Sequence, residues 1–276
     1  MTEPSAPTRH LWSRYVAIGD SFTEGMCDDD PLLVGDGSHG EFAGWADRLA
    51  AHLSELARDQ GLEFGYANLA VRGRKLADVV GPQLDSALAL EPDLVSIVGG
   101  GNDILRPRAD LDALASRLEA AVARIRATGA DVLMATPVDP ADAPLVKATR
   151  ARAAIHTANI WSIARRQGAH VIDQWGLHAL RDWRMWAEDR IHMTSEGHRR
   201  VSLAALQALG HAPAEADWET PLEPAPPISC KEALQANAQW AREYVGPWVH
   251  RRLTGRSSGD QRSAKRPEIG PLPWDE

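Results

Sequence analysis

The stretch Tyr15-Val16-Ala17-Ile18-Gly19-Asp20-Ser21-Phe22-Thr23-Glu24-Gly25 decides the fold class. Its apolar run is too short for a helix and is closed at once by Gly19-Asp20, as a buried strand running into a turn would be. The same unit recurs down the chain. Short apolar runs at Leu62–Ala70, Asp93–Val98, Asp131–Thr136 and Ala169–Asp173 read as further strands. Between them lie segments of helical spacing: Trp45–Leu56, Leu76–Leu90 with a break expected at Gly81-Pro82, Leu111–Ala127, Val146–Gln167 and Thr194–Leu209. Thr194 or Ser195 can cap the last of these. Five strands separated by helices predict an α/β fold built on a parallel sheet. Ligands of such sheets bind beyond the carboxyl ends of the strands near a topological switch point, so the loops after the first strands are where chemistry is expected.

Composition narrows the class. The chain has 276 residues, 44% hydrophobic and 25% charged, the balance of a globular protein. A formal net charge of −8 argues against nucleic acid as a partner. No apolar run approaches the roughly 20 residues of a membrane span, and Met1–Trp12 lacks the apolar core of a secretory signal. Two cysteines, Cys27 and Cys230, cannot form a disulfide framework. These features predict a cytoplasmic protein, with a monomer favoured. Residues 1–13 read as a tail and 14–210 as the catalytic domain. Residues 211–254 read as a proline-rich linker and a helix over Ser229–Leu253, whose stripe of Leu234, Ala238, Ala241, Val245 and Trp248 is expected to pack back on the domain. Residues 255–276 read as a disordered tail.

Four blocks carry candidate chemistry. Ser21 follows the first strand, where a hydroxyl can be presented at the sheet edge, but it needs a base to become a nucleophile. After the second strand, Asn68-Leu69-Ala70-Val71-Arg72-Gly73 places a glycine whose backbone N–H can approach a ligand closely. The third strand ends in Gly99-Gly100-Gly101-Asn102-Asp103, and Asn102 offers a neutral amide donor suited to an oxyanion. A phosphate loop is rejected there because no Gly-Lys-Ser/Thr follows. Finally, Asp189-Arg190-Ile191-His192 sets a carboxylate three residues before a histidine, so that one ring nitrogen can be held while the other serves as base. The Gly-x-Ser-x-Gly elbow does not occur; Ser38 comes nearest, with Asp36 where the first glycine is needed.

Taken together, and in this order, the blocks resemble the SGNH (GDSL-type) hydrolase superfamily over residues 14 to 209. One departure is Met193, where many members have proline. The resemblance implies a three-layer α/β/α flavodoxin-like domain with a five-stranded parallel sheet, and a serine esterase or lipase. It implies a catalytic triad of Ser21, Asp189 and His192, an oxyanion hole from the backbone N–H groups of Ser21 and Gly73 and the Asn102 amide, and no cofactor or metal. Carboxylic esters or thioesters of small or medium acyl groups are the expected substrates. An acyltransferase using the same acyl-enzyme, or a silent scaffold acting through the C-terminal extension, are the alternatives.

Other features read as framework. The loop Met26–Glu41, with Asp28, Asp29, Asp30 and Asp36, is a solvated loop or an acidic rim over Ser21. Trp175, Trp183 and Trp186 read as packing anchors, with Trp186 the choice for a substrate wall. Arg72, Arg74 and Lys75 could meet an anionic substrate group. His198 reads as an ordinary helix residue, and Cys27 has no His/Asp framework of its own.

Overall fold

Along β1 (Arg14–Ile18) the side chains part in two directions, and each direction feeds its own core. Tyr15 and Ala17 join Trp45, Leu49, Leu53, Leu133, Ile172 and Val201 on one side of the sheet. Val16 and Ile18 join Leu84, Val95, Leu118, Val122, Val132 and Ile160 on the other. Two cores on opposite faces of one sheet make a three-layer α/β/α sandwich, as the resemblance implies. The computed structural model describes residues 11–30, 42–143, 146–226, 229–245 and 258–272.

The sheet order is β5-β4-β3-β1-β2-β6, with β2 spanning Gly65–Asn68, β3 Leu94–Ile97, β4 Asp131–Ala135, β5 His170–Ile172 and β6 Arg266–Gly270. β1 to β5 are parallel, and β1 lies between β2 and β3. The chain thus leaves β1 for one side of the sheet and later crosses to the other, which makes the carboxyl end of β1 the switch point. The first core is covered by α2 (Trp45–Arg58) and α8 (Ser195–Ala208). The second is covered by α4 (Leu84–Ala89), α6 (Leu111–Arg126) and α7 (Arg150–Gln167). Three short helices stand at the strand ends: α1 (Ser21–Glu24), α3 (Leu76–Asp78) and α5 (Gly101–Ile104).

Three expectations change. Gly81-Pro82 does not break the helix; a π-helical turn over Val79–Gln83 absorbs the proline between α3 and α4. The helix expected over Ser229–Leu253 is described as α9 (Cys230–Trp240) followed by a π-helical turn, Ala241–Val245. Its apolar stripe is not what docks it, since Leu234 is 71% exposed; Trp248 lies outside the described residues.

The third change concerns the tail expected to be disordered. Within it, β6 pairs antiparallel with β2, giving the sheet a sixth strand. Leu272 enters the first core, and Ile269 packs on the second. Lys265, ahead of β6, sends its buried ammonium to the carbonyls of Glu24 (2.7 Å), Phe42 (2.9 Å) and Ala43 (2.5 Å) and to Asp47 Oδ2 (2.7 Å). Polar composition is no bar to such a strand, because an edge pairs through its backbone and tolerates Pro267.

Candidate active site

β1 ends at a residue whose backbone is clamped. Gly19 N–H donates to Gln83 Oε1 (2.8 Å), and Gln83 Nε2–H donates back to the Gly19 carbonyl (3.0 Å). The π-helical turn is what brings Gln83 to the sheet edge, a place where nothing in its local sequence puts it. The next residue, Asp20, caps α1 by accepting from Phe22 N–H (3.2 Å), and half-buried Ser21 is the helix's first residue.

Beyond β2 the backbone is tied to α1. Asn68 Nδ2–H donates to the Thr23 carbonyl (2.9 Å), while its Oδ1 accepts from Ala70 N–H (3.1 Å). Glu24 accepts from the backbone N–H of Arg72 (2.5 Å) and from its guanidinium Nε (2.8 Å). Arg72 is therefore buried in a framework ion pair and is not the exposed cation expected for an anionic substrate. Gly73 follows at φ +75°, a left-handed conformation that costs glycine little and other residues more.

Past β3, the glycines have a steric reason. A Cβ on Gly100, at φ +96°, would lie 2.9 Å from His156 Nε2, the ring atom that also hydrogen-bonds the Gly99 carbonyl (3.2 Å). This tight turn carries Asn102 inward, where its Nδ2 donates to Asp20 Oδ2 (3.1 Å) and to the Arg74 carbonyl (2.9 Å). Asp103 accepts from Leu76 N–H (2.9 Å) and so pins the Gly73 loop to the same edge. The blocks around Ser21, Gly73 and Asn102 are thus linked by hydrogen bonds at the carboxyl ends of β1, β2 and β3.

Asp189 and His192 lie in the loop before α8. His192 Nδ1–H donates to Asp189 Oδ2 (2.5 Å), and Asp189 Oδ1 accepts from the backbone N–H groups of Ile191 (2.9 Å) and His192 (3.0 Å). Burial alone would raise the Asp189 carboxyl, but the imidazole and these N–H groups outweigh it and hold it below the ordinary carboxylate range. An ionised carboxylate can only accept, which places the proton on Nδ1 and leaves Nε2 free as a base. Burial pushes the Asp20 carboxyl up to about 6, opposed by Phe22 N–H and by the charge of His192. Cys27, six residues past Ser21, has its sulfur within 4.8 Å of donor atoms of both Asp189 and His192, which brings the pair to the Ser21 block. Among the described residues no hydrogen bond joins Ser21 to His192; in unliganded enzymes this contact often tightens only with substrate bound.

The surroundings sort the remaining residues. Cys27, Asp189 and His192 each offer a donor atom within 4.8 Å of the others, the one such trio among the described residues. The close Asp189–His192 hydrogen bond already occupies one ring nitrogen and one carboxylate oxygen of that trio. Burial, helped by Asp189 and Asp29, pushes the Cys27 thiol up to about 11, so it is a poor thiolate. Asp28 is not part of an acidic rim: it is buried and accepts from Arg48 Nε (2.7 Å) and Gly44 N–H (3.0 Å). Asp36 and Ser38 lie outside the described residues. Trp186 is an anchor, its Nε1–H donating to the Leu180 carbonyl (2.8 Å).

His198, read from sequence as an ordinary helix residue, is a buried strut: Nδ1 accepts from Trp45 N–H (3.1 Å) and Nε2–H donates to the Met26 carbonyl (3.2 Å). A cavity of about 320 Å³ between Arg72 and the 261–265 segment is lined by neither Ser21, Asn102 nor His192.

Residues 17–200 match the profile of the GDSL-like Lipase/Acylhydrolase family. No curated protein matches the chain. Among solved structures, the chain is similar to LAE5, an alpha/beta hydrolase enzyme from the metagenome of Lake Arreo, Spain, at 27% identity and a TM-score of 0.59, covering 72% of this chain and 95% of that one. It is also similar to Axe2, an acetylxylan esterase from Geobacillus stearothermophilus, at 21% identity and a TM-score of 0.60, covering 75% and 99%. Catalytic mutants of Axe2 replace a serine, an aspartate and a histidine.

Proposed function

The chain belongs to the GDSL-like lipase/acylhydrolase family and is a carboxylic ester hydrolase, and on that premise we propose that it works through an acyl-Ser21 intermediate. His192 Nε2 takes the Ser21 proton as Oγ bonds to the acyl carbon, and Asp189 holds the imidazolium that forms. The negative charge on the carbonyl oxygen is met by the backbone N–H groups of Ser21 and Gly73 and by the Asn102 amide. Collapse breaks the ester bond, and His192 returns the proton to the departing alcohol. Water, deprotonated by the same nitrogen, then releases the acid and restores Ser21.

The observation that carries this reading is the 2.5 Å Asp189–His192 hydrogen bond with Nδ1 as donor, beside a Ser21 block to which Asn102 is itself hydrogen-bonded. Esters of small or medium acyl groups are the proposed substrates. Hydrolysis of p-nitrophenyl acetate, butyrate and octanoate by wild type and Ser21→Ala tests it. Loss of a triad member costs about 10⁴–10⁶ in kcat, so the variant is expected to be nearly inert; equal rates in both proteins would remove Ser21 from the chemistry.

A further inference from the structure

We propose that α9 belongs to the catalytic apparatus, with Trp240 a positioning residue that fixes the Asp189 loop. This rests on the role given above to Asp189 and His192.

The loop needs holding. Asp189 has no regular secondary structure around it, and Arg190 beside it sits at φ +56°, a left-handed conformation that a long side chain adopts only when its surroundings require it. Local bonds close the loop on itself, from Ala187 N–H to the His192 carbonyl (2.8 Å) and from Arg190 N–H to the Ala187 carbonyl (2.9 Å), and leave the Asp189 carbonyl pointing elsewhere. Trp240 Nε1–H donates to that carbonyl (3.0 Å). The Arg190 guanidinium lies between two indoles, 4.9 Å from the Trp240 ring centre and 5.7 Å from that of Trp183, and its Nη1–H donates to Asn237 Oδ1 (2.6 Å). Tyr244 O–H donates to Glu188 Oε2 (3.2 Å).

Asn237 and Trp240, three apart, share one face of α9, and Tyr244 follows in the π-helical turn. Between them they contact Glu188, Asp189 and Arg190, three successive residues around the proposed triad acid. The grip is polar and aromatic, which fits a helix whose Leu234 is turned to solvent. Rotation of the Asp189 peptide would move the carboxylate that holds His192 Nδ1, and small misplacements of a catalytic group are costly. The charged and titratable groups around that pair are Glu188, Arg190, Tyr244, Cys27 and Asp20; substituting Trp240 changes the identity of none of them, and Trp240→Phe also keeps an aromatic ring under Arg190.

Full-length Trp240→Ala, Trp240→Phe and Leu234→Ala proteins test this with p-nitrophenyl acetate, following kcat, KM and the pH profile of kcat/KM. Trp240→Ala is expected to lower kcat about 10- to 100-fold with KM nearly unchanged. Its acid limb is expected to move to lower pH, because an imidazolium less well held by Asp189 loses its proton more readily. Trp240→Phe keeps the stack on Arg190 and loses the N–H, and should fall between; it also reports if the alanine variant does not fold. Leu234→Ala should match wild type. An unshifted acid limb in both Trp240 variants, or an equal loss in Leu234→Ala, would overturn the positioning role. Should Ser21→Ala remain active, the serine mechanism itself fails; an inert Ser21→Ala beside unaltered Trp240 variants refutes the clamp alone.

Discussion

Asn102 has two amide hydrogens, and in the resting site Asp20 Oδ2 and the Arg74 carbonyl are already within reach of them. In the proposed mechanism an oxyanion forming on the substrate competes for one, and a full negative charge is a stronger acceptor than a carbonyl. Asn102→Ala is therefore expected to lower kcat by about 10²–10³ with little change in KM; steady-state kinetics showing a loss only in KM would assign Asn102 to ground-state binding instead. At this scale the candidate site was legible in proportion to how local each signal is. Ser21, Gly73, Asn102, Asp189 and His192 each sit in a motif of a few residues at a strand end or before a helix. Gln83 and His198 carry no such mark, because their partners are 64 and 153 residues away. A polar side chain on an apolar helix looks the same whether it meets water or a buried backbone.

Among the elements, β6 has most to say about what a sequence hides. Its five residues, Arg-Pro-Glu-Ile-Gly, alternate too weakly to read as a strand and contain a proline. Their order comes from the open edge of β2 and from Lys265, whose ammonium joins α1 to α2 through the Glu24 and Ala43 carbonyls and the Asp47 carboxylate. Lys265→Met keeps the aliphatic stem and strands Asp47, which burial already pushes upward. Removing one partner of a buried ion pair typically costs about 3–5 kcal/mol, so urea unfolding should show a markedly lower midpoint. A change within about 0.5 kcal/mol would place Lys265 with ordinary surface residues. The helices flanking the sheet were legible because their apolar faces repeat at 3.6 residues, as at Leu114, Leu118, Val122 and Ile125. In α9, by contrast, the apolar stripe misdirected the docking face, since Arg190 and Glu188 reward aromatic and polar groups instead.

For the whole molecule, the five parallel strands followed from the alternation of elements, whereas the antiparallel sixth strand and the order β5-β4-β3-β1-β2-β6 depend on contacts that no local pattern records. The same long-range contacts set how stability depends on pH. His198 bridges the start of α2 to the chain after α1, and burial pushes it down to about 4 from an ordinary 6.5. Between those values the unfolded chain takes up a proton that the folded one refuses, so stability falls as pH falls, by about 3 kcal/mol in all. Asp20 works in the opposite sense. Its folded value of about 6 lies above the ordinary 3.8, so in that interval the folded form binds the proton first and stability rises as pH falls, by a similar amount. Between about pH 6.5 and 4 the two oppose each other, with His156 and His52 acting in the sense of His198 and Asp47 in that of Asp20. Below, Asp28, held down to about 2 against its burial by the Arg48 hydrogen bond, is forced to protonate and adds a loss. His198→Asn supplies an acceptor and a donor without a titrating ring. Relative to wild type, its urea midpoint should gain as pH is lowered from 6.5 to 4; parallel curves for the two proteins would mean that His198 does not bear this linkage.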